Sequence, residues 1–343
     1  MGVRKTLQRN WIEVPLYVAR GVARQRARSL PRPAYRIAAP IRVYKTYREQ
    51  VLGLADCLRS LGHTALVHPI KRLEDVGPLR HGDRVVTFGT YRLRSFEREP
   101  GVLYAAVNAE FYGSRPDEGM MQRTREFVDR CDLLFESNEV SLRQARDLGL
   151  NPSGLMPFAW TPRLDWRAAP SAPRYDIAFL GRIEQSEHRL ALREEIRSRF
   201  NACPYTVAWG RGRARFLRRA RIQLSLNQGS TDHFPGHRFA LALANRCFIL
   251  SEPLPDEAPF RAGVHYAAAP LGEIAQAIEF YLKNPESMRR IAEAGHRFFR
   301  CEYRLIDYAE HMCKTMDAAW DTLRSGARLA PIRADLLRSE RTG

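Results

Sequence analysis

Two hydrophobic rhythms alternate along this chain. Short apolar runs at 35–40, 63–67, 84–88, 101–107 and 133–135 read as strands, and longer stretches of helical period lie between them. The first such stretch, 46–61, places Val51, Leu54, Leu58 and Leu61 on one face and stops at Gly62. Further helices are expected at 120–130 and at 139–148, the latter ended by Gly149. Strands spaced by helices in this way predict a parallel sheet covered on both faces. Residues 162–174 then carry three prolines and no period, which marks a linker.

After the linker the alternation starts afresh. Strands are expected at 175–180, 205–208, 222–226 and 247–250, with a short one at 264–266. Helices are expected at 189–200, 213–220, 238–245, 273–283, 286–299 and, longest, 305–323. The predicted fold class is therefore α/β, with two Rossmann-like doubly wound domains at 35–161 and 175–304. A basic extension (1–34) precedes them, and an Arg-rich mobile tail (324–343) follows the last helix.

Composition narrows the function classes. A chain of 343 residues, 45% hydrophobic, has the length for two cores. Apolar runs of roughly eighteen residues are absent, so no transmembrane helix is expected. The first residues lack a secretory pattern, which leaves a cytoplasmic expectation. Net charge is +17, carried by 50 Arg and only 5 Lys. Such a charge suits phosphorylated ligands, anionic lipid or nucleic acid, although arginine-rich codon usage and a solvated surface account for the bulk of it. No helix-turn-helix or RRM pattern accompanies it, so no nucleic-acid partner is expected. In residues 1–33, basic positions surround Trp11, Ile12, Val14, Leu16, Val18 and Val22, with Pro15 interrupting. That pattern fits either a peripheral contact with an anionic membrane face or an extension packed on the domains. Six scattered cysteines without a CxxC pair read as reduced thiols.

In open parallel sheets ligands sit beyond the carboxyl ends of the strands. Applied here, that rule collects Gly181, Arg182, Asn227, the run His233 to Arg238, and Ser251 to Glu257 in the second half. In the first half it collects Asn108, Glu110 and Ser137. Gly181, ending a strand, would let backbone approach a diphosphate that Arg182 or Arg189 neutralises; equally, it is a tight turn. Glu110 suits a general base or a ligand of a substrate hydroxyl, or an ordinary loop carboxylate paired with an arginine. The run 233–257 opens with a Pro–Gly turn, continues as a small-residue helix and a strand, and ends in a polar loop. It is either the floor of an anion site at a helix N-terminus or plain core packing. His233 and His237 lack the carboxylate context of a metal site, and no metal is expected. GxGxxG, Walker A and GxSxG motifs are absent.

Taken together, several pieces in order carry a resemblance: Ile177-Ala-Phe-Leu-Gly-Arg182 with Arg189; Leu224-Ser-Leu-Asn227; Arg238 through Glu252; Gly263-Val-His-Tyr266; Tyr281-Leu-Lys-Asn-Pro-Glu286 and Ala292-Glu-Ala-Gly295. This half resembles the C-terminal domain of bacterial GT-B glycosyltransferases of the group 1 type, particularly the CgeB-like proteins. The resemblance implies two domains facing across a cleft, with 305–323 packing back toward the first domain. It implies transfer of a sugar from a nucleotide-diphosphate sugar, bound by the second domain, to an acceptor hydroxyl, on a glycan or small molecule, held by the first. No cofactor is implied beyond the nucleotide-sugar co-substrate. By this likeness Glu110 and His233 are the catalytic candidates. Gly181, Arg182, Arg189, Asn227, His237, Arg238, Ser251 and Glu252 are donor-binding, and Asn108 and Ser137 lie on the acceptor side. Cell-surface or secreted glycan synthesis is the implied setting. Three positions depart from the pattern: the family's two helix glutamates fall on His233 and Leu241, and its following glycine falls on Arg246. Leu241 accepts no hydrogen bond from a ribose, so either Glu252 or Glu257 supplies a carboxylate, or the chain is a non-catalytic relative that binds glycan or nucleotide.

Overall fold

A computed structural model describes residues 33–93, 96–109, 118–166, 173–179, 187–203, 213, 216–217, 219–227, 234–256 and 258–332. The first unit contains β1 (Tyr35–Pro40), α1 (Ile41–Ser60), β2 (Ala65–Ile70), β3 (Arg84–Phe88), β4 (Leu103–Asn108), α2 (Glu118–Val128), β5 (Leu133–Glu136), α3 (Glu139–Asp147) and β6 (Gly154–Leu155). Its six strands are parallel in the order β2-β1-β3-β4-β5-β6. Both faces are covered, which is why β1, β3, β4 and β5 are buried at every position rather than alternately.

The second unit contains β7 (Tyr175–Phe179), α4 (Glu187–Arg199), β8 (Ala220–Ser225), α5 (Gly236–Ala244), β9 (Phe248–Ser251), β10 (Ala267–Ala268), α6 (Ile274–Lys283) and α7 (Pro285–Cys301). A final helix, α8 (Leu305–Arg324), closes the chain. Four parallel strands run in the order β10-β9-β8-β7. The alanines of α5 let it lie on this sheet, and Gly295 of α7 touches it from outside. A Cβ at Gly295 would strike the His265 carbonyl and the Leu243 side chain.

The chain passes between the units twice, and the passages run side by side. The Trp160 N–H donates to the Tyr303 carbonyl at 2.8 Å, and the Leu305 N–H donates to the Trp160 carbonyl at 2.9 Å. Gln50 of α1 donates to the Pro157 and Ala159 carbonyls at 3.3 and 3.0 Å, which anchors the first passage to the first unit. After the second passage α8 packs on that unit too: Asp317 accepts from Arg84, and Trp320 meets the His81 ring edge-on at 5.3 Å.

Several local expectations change, and the strand expected at 63–67 lies at Ala65–Ile70. The helix expected at 46–61 begins at Ile41, directly after Pro40, and kinks at Tyr47 (φ −114°, ψ 24°). Its first turns carry only one buried apolar residue, Val43, so periodicity gave no sign of them. No strand forms at 264–266. Gly263 at φ +74° turns the chain there, Val264 is exposed, and only Ala267–Ala268 reach β9. β6, two residues long, is too short to leave a pattern. The strand expected at 205–208 lies outside the described residues.

Candidate functional site

At the carboxyl end of the second sheet, the last residues of β8 and β9 lie in register, Ser225 beside Ser251. Both serines are buried, and neither hydroxyl has a hydrogen-bond partner among the described residues. Just beyond, the Asn227 N–H donates to the Glu252 carboxylate at 2.6 Å, joining the two strand exits. α5 opens beside them at Gly236. Its N-cap is Pro235, no side chain caps it, and no acidic residue occupies its first turn. The Gly236 and Arg238 N–H groups donate to the Phe234 and Pro235 carbonyls, each at 2.9 Å, so what this helix start offers an anion comes chiefly from the Arg238 side chain.

Arg238, in that first turn, donates from Nη1 to the Leu226 carbonyl at 2.8 Å and lies over the Phe179 ring at 5.6 Å. These contacts hold a guanidinium at the exits of β7 and β8. The result is a compact group, Asn227, Arg238, Ser251 and Glu252, with one cation, one carboxylate and hydroxyl and amide groups at the strand ends. Its chemistry suits a ligand bearing both phosphate and hydroxyl groups.

His237 turns elsewhere. Its ring meets Tyr47 edge-on at 4.8 Å and Phe158 at 5.3 Å, so it packs against the first unit. Burial holds its pKa well below the usual histidine range, with Arg213 and Arg238 adding to the effect against an opposing hydrogen bond to the Thr46 backbone.

On the first sheet, Asn108 ends β4 and donates from Nδ2 to Glu136 Oε2, at the end of β5, at 2.9 Å. Both are buried, and the two residues are register partners. Ser137 accepts from Asn138 Nδ2 at 3.3 Å, while Asn138 Oδ1 caps α3 by accepting from the Ser141 N–H at 2.8 Å. Sequence reasoning named Asn108 and Ser137 but passed over Glu136. Its signal was a carboxylate closing an otherwise apolar strand. Glu139, the first residue of α3, has its pKa raised by burial.

Of the residues named from sequence, the structure brings Asn227, Arg238, Ser251 and Glu252 together and sets His237 beside them, facing the other unit. Asn108 and Ser137 lie at neighbouring strand ends of the first sheet. Glu110, Gly181, Arg182 and His233 lie outside the described residues, as do the side chain of Arg189 and the residue Glu257. Leu241 is 0% exposed within the core. Arg246, at φ 54°, is the one non-glycine residue at positive φ among the described residues. It adopts the backbone conformation for which glycine is the usual residue.

Two all-parallel α/β units joined by paired passages, with a final helix returned to the first unit, define the architecture. The fold is GT-B. HepE from Anabaena, in complex with UDP and glucose, has the same fold, with a TM-score of 0.56 over 84% of this chain and 100% of that one at 8% identity. Its complex with UDP-glucose aligns with a TM-score of 0.55 over 83% of this chain and 100% of that one at 10% identity. An α-glucosyltransferase in complex with UDP and a 13-mer DNA aligns at 0.52 over 84% and 100%, at 8% identity. Residues 170–314 match the family model described as glycosyl transferase-like. No curated protein matches the sequence.

Proposed function

We propose that this protein is a glycosyltransferase that moves a sugar from a nucleotide-diphosphate donor to an acceptor hydroxyl. The observation that carries the reading is the group at the ends of β7, β8 and β9: an uncapped helix start, the Arg238 guanidinium, and Asn227 fastened to Glu252. The glycosyl transferase-like match covers that group, since it spans residues 170–314. Structures of the same fold hold UDP with glucose, or UDP-glucose.

In this reading Arg238, in the first turn of α5, takes the leaving diphosphate, whose charge grows as the glycosidic bond breaks. Glu252, partly exposed, offers its carboxylate to the sugar or ribose, while Asn227 and Ser251, both buried, support the strand ends that carry it. The acceptor lies on the Asn108–Ser137 edge of the first sheet, with Glu110 as the base. Arginines and helix-end amides serve in place of a metal. Acceptors in cell-surface or secreted glycan, a cytoplasmic setting with peripheral membrane contact, and kinship with the CgeB-like group belong to the same proposal.

A second reading, a non-catalytic relative that binds nucleotide or glycan, draws on Leu241. A buried leucine occupies the position of a family glutamate, so the nucleotide would lack that ribose contact. Thermal shift against UDP, GDP, dTDP and CMP sugars, followed by assay of hydrolysis and transfer, separates the two. A donor that raises the melting temperature and is turned over supports the enzyme. Binding without turnover supports the second reading, and binding by none of the panel overturns both.

A further inference from the structure

One backbone carbonyl of the first unit receives side chains from two separate parts of the second. Arg213, only 3% exposed, donates from Nη1 and Nη2 to the Thr46 carbonyl at 3.2 and 3.3 Å. His237, in the first turn of α5, hydrogen-bonds to the same residue's backbone. The kink at Tyr47 explains why this carbonyl is available. Tyr47, the seventh residue of α1, is non-helical, and a break in the helical ladder leaves nearby carbonyls open to other donors.

The junction around it is closed. Arg213 Nη1 lies 3.6 Å from Glu49 Oε2, and both side chains are buried. The rings of Tyr47, Phe158 and His237 pack on one another with centroids 4.8 to 5.3 Å apart. A guanidinium enclosed this way is costly unless its hydrogen bonds are met, so its partners and its position are tightly specified.

What the junction holds is the start of α5. His237 is flanked by Gly236 and Arg238, the residues at the uncapped helix start and over the β7 exit. On the other side, the segment 41–46 of α1 extends from the carboxyl end of β1, the edge of the first sheet at which Asn108 and Ser137 lie. A shift of Arg213 against Thr46 would therefore move the anion side of one sheet relative to the strand ends of the other.

We propose that Arg213 is a positioning residue: by clamping the Thr46 carbonyl at the kink of α1, it fixes the placement of the α5 start, and hence of Arg238, relative to the first unit. The inference rests on the donor-site reading above for its kinetic consequence, but its geometric consequence is independent of that reading.

The test uses the full-length protein and the variants R213M and R213K, with Y47A as a second way to loosen the junction. Without ligand, R213M and Y47A should increase the radius of gyration measured by small-angle scattering, while R213K, which keeps the charge and a donor, stays near wild type. With a nucleotide sugar, R213M should lower kcat for transfer about tenfold, the weight of one buried hydrogen bond, while the donor KM stays within a few fold because the donor-binding residues all lie on the second unit. R213K should recover most of the kcat. An R213M or Y47A protein with wild-type dimensions and wild-type kcat overturns the clamp. If R213M fails to fold by circular dichroism, Y47A and R213K carry the same two readouts. Should wild type bind no nucleotide sugar, the functional reading falls while scattering still decides the clamp.

Discussion

The backbone N–H of Asn227 and the carboxylate of Glu252 meet at 2.6 Å across the exits of β8 and β9. The bond takes up one carboxylate oxygen in bracing the two loops, so this acid shapes the candidate donor site as well as facing it. A hydrogen bond to a charged acceptor contributes about 1.5–3 kcal/mol when well buried, and Glu252 is partly exposed. E252A should therefore lower stability by about 1 kcal/mol in urea denaturation and weaken nucleotide-sugar binding, while E252Q should preserve more of both. A variant that binds donor as well as wild type would remove Glu252 from the site.

Leu241 stands where a family glutamate would be, and it is fully buried. Restoring the acid as L241E places a carboxylate in packed apolar core. Stability should fall by roughly 3 kcal/mol or more, seen as a collapsed melting temperature or insoluble protein. A folded L241E with higher transfer activity would show instead that the position reaches the ligand.

Arg246 holds a left-handed backbone at φ 54°. Its ion pair to Glu293, at 3.8 Å with both side chains more than half exposed, contributes little. Replacing it with glycine relieves the Cβ strain at the cost of unfolded-chain freedom. R246G should gain roughly 0.5–1 kcal/mol in chemical denaturation, and a loss of stability would count against strain at this turn.

His68 of β2 is buried, and burial together with nearby Arg36 lowers its pKa to about 4. The unfolded chain, with an ordinary histidine pKa near 6.5, binds the proton first as pH falls. The stability tied to neutral His68 is thus complete above about pH 6.5 and is lost progressively down to about pH 4, a total of about 3 kcal/mol. Urea midpoints across that range should fall more steeply for wild type than for H68L. Parallel curves would overturn the assignment.

Much of the fold was legible along the chain. The strand at 84–88, the helix stop at Gly62 and the helix ended by Gly149 follow from local period and turn chemistry, and all lie where expected. Where local pattern was weak, the reading slipped. The first turns of α1 bury one apolar residue, and β6 has two residues in all. The strand-end rule gathered Asn227, Arg238, Ser251 and Glu252 correctly as neighbours, but it could not tell that His237 turns toward Tyr47, because that depends on a contact 190 positions distant in the chain.

By itself, the sequence determined most of the longer strands and helices, because helix and strand periods are short-range properties that burial imposes on neighbouring residues. Only the tertiary structure decided which polar groups meet. Strand order and register set Asn108 against Glu136 and Ser225 beside Ser251, and the kink of α1 presents Thr46 to Arg213. Those pairings depend on long-range packing of whole elements, in which a residue's neighbours in space are not its neighbours in the chain.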